Sequence, residues 1–245
     1  MPVHLLIGAA GGIGSAVARA LTEPGDTVLL TGRTAEPLEQ LAAELDQPWQ
    51  QLDARDFQAV DDAVSGLVEE HGQIDGAINC AGSVVLKPAH LTTPQDYDDV
   101  IATNLTTAFA LVRAAAPQMR KTGGSIVLVS TAAVSAGLAN HEVVAAAKGG
   151  VEGLVRAAAA TYGARGIRVN AVAPGLVVTP QTQKLVDNER QADASRAMHV
   201  LDRFGQPEDV ASAITWLVHP DNTWVTGQVL GVDGGLGHVR TRMKA

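Results

Sequence analysis

Gly8-Ala9-Ala10-Gly11-Gly12-Ile13-Gly14 is the stretch that decides the fold. It follows the short apolar run Val3 to Ile7 and opens an amphipathic stretch over 12–23. Residues without a Cβ permit a tight turn and let backbone approach a bound group closely. A helix start adds free N–H groups and a partial positive charge. Between a strand and a helix, such a cluster reads as a candidate cradle for a dinucleotide pyrophosphate. The alternative is an ordinary strand-to-helix turn.

The rest of the chain repeats the alternation that this stretch begins. Val3–Gly8, Thr27–Thr31, Trp49–Leu52, Ile74–Asn79, Ser125–Ser130, Ile167–Val172 and Gln228–Val232 read as strands. Several are apolar at successive positions, as strands covered on both faces are. Helical patterns fill 12–23, 35–45, 56–71, 95–120, 141–164 and 207–218. Strand-helix alternation implies right-handed βαβ units and hence an α/β fold, a doubly wound parallel sheet with helices on both faces. No linker, low-complexity tract or repeat interrupts it, so 1–245 reads as a single domain. The longest stretch outside the alternation, 173–205, is expected to be a lid or binding loop with some helix of its own.

Composition narrows the function classes. Twenty-six acidic against 18 basic residues give a formal charge of −8, which argues against general nucleic-acid binding. The one basic cluster, Arg240, Arg242 and Lys244, reads as a solvated end. Cys80 is the sole cysteine, so no intramolecular disulfide forms, and a reducing, cytoplasmic setting fits. No basic region precedes Val3 as a signal peptide would need, and no apolar run approaches the ~20 residues of a membrane span. The seven histidines are scattered, so no metal site is expected.

The glycine spacing carries a more specific reading. Gly8, Gly12 and Gly14 match G-x-x-x-G-x-G rather than G-x-G-x-x-G. Further along stand Asn79-Cys80-Ala81-Gly82, Asn104 within Thr103-Asn104-Leu105, Lys148 after Ala145-Ala146-Ala147, and Pro174-Gly175 with Thr179. Arg203-Phe204-Gly205-Gln206-Pro207-Glu208-Asp209-Val210 and Thr226-Gly227-Gln228 through Asp233-Gly234-Gly235 follow in order. Together these resemble the classical short-chain dehydrogenase/reductase family nearly end to end. The resemblance implies a sheet of about seven strands and a cofactor site of Gly8, Gly12, Ile13, Gly14, Asn79, Ala81, Gly82, Lys148, Pro174, Gly175 and Thr179. It implies that Asp53 contacts the adenine, against the simpler reading of Asp53 as a turn or N-cap residue. Asn79 could instead only tie strand ends together. Asn104 could only hold helix backbone, where the family also uses it to anchor a proton-relay water.

The resemblance also implies hydride transfer between a nicotinamide and a carbonyl or alcohol carbon of a small molecule. In the family a tyrosine supplies the proton, a lysine four residues later lowers its pKa, and a serine thirteen residues before it holds the substrate oxygen. Counting from Lys148, Val144 occupies the tyrosine position and Thr131 the serine position. Thr131 keeps a hydroxyl; Val144 has no proton to give, and losing a positioned acid typically costs 10²–10⁴-fold. His141 is the nearest possible substitute, although a capping or surface histidine reads the same way in sequence. Glu142 reads as a first-turn acid. Two functions therefore stay open: an oxidoreductase with a non-standard site, and a cofactor-binding sensor or inactive subunit.

Two further expectations complete the reading. Strand two ends Thr31-Gly32-Arg33, with no acid to bind both ribose hydroxyls. Arg33 can accept a 2′-phosphate, so NADP(H) is expected over NAD(H). The helices at 95–120 and 141–164 carry alanine runs and Gly149, Gly150 and Gly153. Such surfaces, with the resemblance, imply a homo-oligomer: a tetramer of dimers, or a dimer.

Overall fold

The computed structural model describes residues 1–240, the side chains of 190 and 191 excepted; Arg242 and Lys244 of the basic end lie outside the described residues. In chain order the elements are β1 (Val3–Ile7), α1 (Gly12–Thr22), β2 (Thr27–Gly32), α2 (Ala35–Leu45), β3 (Trp49–Gln51), α3 (Phe57–His71) and β4 (Gly76–Asn79). Then come α4 (Pro94–Ile101), α5 (Thr107–Gln118), β5 (Gly124–Val129), α6 (Ala133–Ala136), α7 (Glu142–Tyr162) and β6 (Ile167–Pro174). The chain continues through α8 (Gln183–Val186), α9 (Glu189–Met198), α10 (Pro207–Val218) and β7 (Val229–Val232). The seven strands form one sheet in the order β3-β2-β1-β4-β5-β6-β7, every neighbour parallel. This is the single-domain, doubly wound fold that the alternation implies.

Burial follows the strand patterns. All five residues of β1 and all eight of β6 are buried, because helices cover both faces. On one face Val60, Val64, Leu111, Ala115, Val151 and Val155 bring α3, α5 and α7 onto the sheet. On the other, Val17, Leu38 and Ile214 do the same for α1, α2 and α10. β3 departs from the pattern: it is the edge strand, it is short, and its side chains are exposed.

The continuous helix read at 95–120 is broken in its middle. Pro94 to Gln118 runs as one body, but Ala102–Thr106 is a π-helical turn between α4 and α5. Its cause is Asn104, whose buried side chain donates to the Val100 carbonyl at 3.0 Å and to Ser83 Oγ at 3.0 Å. A side chain that enters the carbonyl ladder in this way widens the helix, and such bulges gather at functional sites. By length and composition alone this helix could cross a membrane, contrary to the sequence expectation. Its apolar residues Ala110, Leu111, Ala114, Ala115 and Ala116 are nevertheless packed in the core against α3 and the sheet.

The region 173–205 is less of a loop than its sequence reads. β6 extends to Pro174, and α8 and α9 occupy much of the remainder. Its far end is tied by Arg203, which pairs with Asp209 at the start of α10 at 2.6 Å.

Candidate active site

The carboxyl ends of β1, β2, β4, β5 and β6 open into one cavity of about 950 Å³. In doubly wound sheets this is where ligands bind. Gly8 has φ +78°, and a Cβ there would lie 2.7 Å from the Ala81 nitrogen. A Cβ on Gly14 would fall well inside contact with the Gly8 carbonyl oxygen. Both positions are therefore closed to other residues by backbone, not by side chains that could move. Gly8 N–H donates to the Thr31 carbonyl at 2.8 Å, which fixes the turn to β2. No side chain caps α1 at Gly11, so the helix start faces the cavity with its N–H groups and positive dipole end. Gly12, Ile13 and Thr179 line the wall beside it; a Cβ on Gly12 would lie 2.7 Å from Thr179 Cγ2.

Arg33, Asp53 and Arg55 line the end of the cavity beyond β2. Arg33 is exposed, and its guanidinium has no ion-pair partner among the described residues. Asp53 is held by Arg55, through Nε to Oδ1 at 2.9 Å and Nη2 to Oδ2 at 2.5 Å. That hydrogen bonding keeps the Asp53 carboxyl below the usual carboxylate range. The N-cap role that Asp53 shared in the sequence reading belongs instead to Asp56, which accepts from the Gln58 and Ala59 N–H groups.

The other end is built from β4, β5, the π-turn and α7. Cys80, Ala81, Gly82, Asn104, Thr131, His141, Val144, Lys148, Pro174 and Gly175 all line it. Asn79 does not. It sits behind the wall, accepting from Ala81 N–H at 2.8 Å and donating to Thr107 Oγ1 at 3.0 Å, so it shapes the loop that others present. Asn104 also accepts from Ser83 N–H at 3.2 Å, which locks the segment after Gly82 to the π-turn.

Lys148 is buried, and its Nζ donates to the Val129 carbonyl at 2.7 Å. Burial pushes the ammonium down to about 8, only partly offset by the neighbouring Cys80. The same burial pushes the Cys80 thiol up to about 12, leaving it a proton holder rather than a nucleophile. Thr131 Oγ1 accepts from Ala133 N–H at 3.3 Å, a long contact that leaves the hydroxyl proton for a ligand. Val144 is buried against Val100, Val143 and Ala147, so it is backed by apolar side chains. His141 is the N-cap residue of α7, and its Nδ1–H donates to the Ala139 carbonyl at 2.8 Å. That bond aims the ring, which helical spacing alone left undirected.

His199 was missed in the sequence. It lies at the end of α9 in the stretch with least pattern, and no motif surrounds it. Its Nδ1–H donates to the Ser195 carbonyl at 2.8 Å, and its Nε2 accepts from Leu176 N–H at 3.1 Å. It thereby pins α9 to the turn after Gly175. Ser83, Leu185 and Met198 complete this end and likewise lacked a sequence signal.

These residues fit a dinucleotide: an uncapped helix start over a glycine turn, a cation past β2 with no ion-pair partner among the described residues, and a buried lysine at the far end of the same cavity. Known proteins agree with that reading. A family model described as enoyl-(acyl carrier protein) reductase matches residues 8–237. The 3-oxoacyl-[acyl-carrier-protein] reductase FabG of Thermotoga maritima is 37% identical over 243 residues, covering 96% of this chain and 97% of that protein. D-threitol dehydrogenase of Mycolicibacterium smegmatis is 34% identical over 239 residues, covering 95% and 92%. A short-chain type dehydrogenase/reductase from Mycobacterium ulcerans superposes with a TM-score of 0.92 at 29% identity, covering 96% of this chain and 90% of that one. With sequence and fold matched over nearly their full lengths, the chain belongs to the short-chain dehydrogenase/reductase family.

Proposed function

We propose that the protein is an NADP(H)-dependent oxidoreductase that interconverts a neutral, largely apolar carbonyl compound and its alcohol. The observation that carries this is the single cavity, with the glycine cradle and Arg33 at one end and Thr131 and Lys148 at the other. A nicotinamide bound there supplies or accepts the hydride. The backbone N–H groups at Gly12, Ile13 and Gly14 hold the pyrophosphate, and Arg33 takes the 2′-phosphate through charge-assisted hydrogen bonds. Asp53 faces the adenine, with Ala81 and Gly82 supplying backbone along the cavity floor. Lys148 donates to the nicotinamide ribose, and Pro174, Gly175 and Thr179 border the nicotinamide. Thr131 donates a hydrogen bond from its hydroxyl to the substrate oxygen, and Asn104 keeps the π-turn in place so that its backbone can anchor a relay water. Val144 lines the wall where the family carries a tyrosine, so the site is non-standard.

Substrate chemistry follows from the lining. Val84, Leu86, Leu138, Val144, Leu185 and Met198 are apolar; of the ion-forming lining residues, Arg33, Asp53 and Arg55 stand beyond β2, and Lys148 at this end is bonded to the Val129 carbonyl. A neutral ketone desolvates cheaply into such a wall. The segment with α8 and α9 acts as the lid over it.

Assembly follows from α5 and α7. Ala146, Gly153 and Ala157 are exposed along α7, a Cβ on Gly153 would meet nothing, and Phe109 of α5 is exposed, with its ring against Phe57 of α3. Gly150, counted with this stripe in the sequence, instead packs inward on Leu105. The open stripe supports a dimer through α5 and α7, and a tetramer of two such dimers. Light scattering at micromolar concentration should give a tetramer, or a dimer; Gly153→Glu should lower that mass, and a monomeric wild type refutes the assembly.

The test of function is NADPH oxidation over a panel of neutral ketones. One observation favours a second reading, a sensor or inactive subunit: the apolar seat at Val144. NADPH binding without turnover of any ketone selects that reading.

A further inference from the structure

The cavity holds several groups that carry protons, and most are already committed. His199 has both ring nitrogens in hydrogen bonds, with Nε2 accepting from Leu176 N–H at 3.1 Å. Cys80 keeps its proton to about 12. Ser130 donates to Glu152 Oε1 at 2.9 Å, and Thr107 donates to the Thr103 carbonyl at 2.8 Å. Arg33, Asp53 and Arg55 stand beyond β2, away from Thr131. Lys148 is anchored on the Val129 carbonyl at 2.7 Å.

His141 differs from all of them. It lines the same end as Thr131, Val144 and Lys148, at positions 141, 144 and 148, one stripe of α7 carried back through its N-cap. Its Nδ1–H is spent on the Ala139 carbonyl at 2.8 Å, which fixes both the tautomer and the ring plane. Nε2 has no hydrogen-bond partner among the described residues. A ring held through one nitrogen with the other left open is the arrangement a general acid/base requires. Val144 lines the same wall and brings no polar group to it. The ring is only half-buried, so solvent can restore its proton.

We propose that His141 is the catalytic acid/base of this enzyme, through Nε2. This rests on the oxidoreductase reading above. In the reducing direction a reduced nicotinamide held in the cavity would supply the hydride for the new C–H bond, and the C=O π pair would move to oxygen. That oxygen, held by the Thr131 hydroxyl, takes the proton from Nε2–H of the imidazolium. The products are the alcohol, the oxidised nicotinamide and neutral His141, which regains its proton from water. Oxidation runs the same path backwards, with neutral Nε2 as base.

The test compares wild type with His141→Ala and His141→Gln in NADPH-dependent ketone reduction, with NADPH binding and thermal unfolding measured alongside. Gln keeps size and a hydrogen-bonding amide but cannot transfer a proton. Both variants should lose ~100-fold or more in kcat, with NADPH binding and stability kept. Added imidazole should restore part of the rate to His141→Ala only. A readout independent of turnover is the ring ¹⁵N spectrum of the cofactor-free protein: adding the alcohol product should move Nε2 of His141 and leave Nδ1 in place. Variants that retain kcat within about twofold, or an unmoved Nε2, overturn the assignment while leaving the oxidoreductase reading intact. A wild type that binds NADPH but reduces no ketone overturns both.

Discussion

The two ends of the cavity obey different rules. At the cradle, Gly8 and Gly14 are fixed by backbone: any Cβ strikes the Ala81 nitrogen or the Gly8 carbonyl. At the reacting end, Val144 sits on an undistorted α7 with Lys148 one turn on, and nothing in the fold registers which side chain fills the seat. A cofactor site made of backbone is thus inseparable from the fold, whereas a chemical site made of side chains can be rewritten within it. What the rewriting costs depends on which other group carries the proton.

The largest expected effect breaks the cradle. Gly14→Val drives a branched side chain into the Gly8 carbonyl and should cost about 3 kcal/mol or more, with loss of NADPH binding. Urea unfolding with a cofactor titration measures both. A stable, NADPH-binding variant would mean that the cradle is not sterically fixed.

The next effect concerns the buried Lys148, whose ammonium burial holds at about 8 against an ordinary value of 10.5. Between those two values the unfolded chain binds more protons than the folded one, so this group's contribution to stability rises with pH across that window. Below about 8 the lysine is charged in both states and the full cost of burying it is present. Lys148→Met should therefore stabilise the cofactor-free protein at pH 7 by about 2–3 kcal/mol. That advantage should shrink as pH rises from 8 towards 10.5. An advantage independent of pH would contradict the assigned charge.

Much of this was legible in the sequence, and the exceptions have physical reasons. The strands themselves follow from runs such as Val3 to Ile7 and Ile167 to Val172, apolar because both faces are covered. The glycine loop, Asn104, Thr131, Val144 and Lys148 were singled out by the family resemblance, whose motif separations the chain keeps. The π-turn was not, because a single asparagine in a helix looks the same whether it faces water or enters the carbonyl ladder. Asn79 was placed in the cofactor site by the resemblance, which does not separate a residue of the wall from one in the layer behind it. His199 escaped because its partners, Ser195 and Leu176, are 4 and 23 residues away in a region without periodicity.

A smaller effect sharpens the comparison at the reacting end. If the seat at Val144 is only vacant, a phenol there should find Lys148 and a substrate oxygen. In a His141→Ala background, Val144→Tyr should therefore recover ketone reduction by ~10-fold or more, since Lys148 favours the phenolate. Steady-state NADPH oxidation reads it out. No recovery in a folded, NADPH-binding double variant would mean that α7 no longer presents that position to substrate.

The most direct measurement of the central claim is an equilibrium titration of NADPH and NADH against wild type and Arg33→Ala. An intact cradle with an arginine past β2 should bind NADPH ~10-fold or more tighter than NADH, and Arg33→Ala should erase most of that ratio. Failure to bind either nucleotide, or tighter binding of NADH by wild type, would contradict the account.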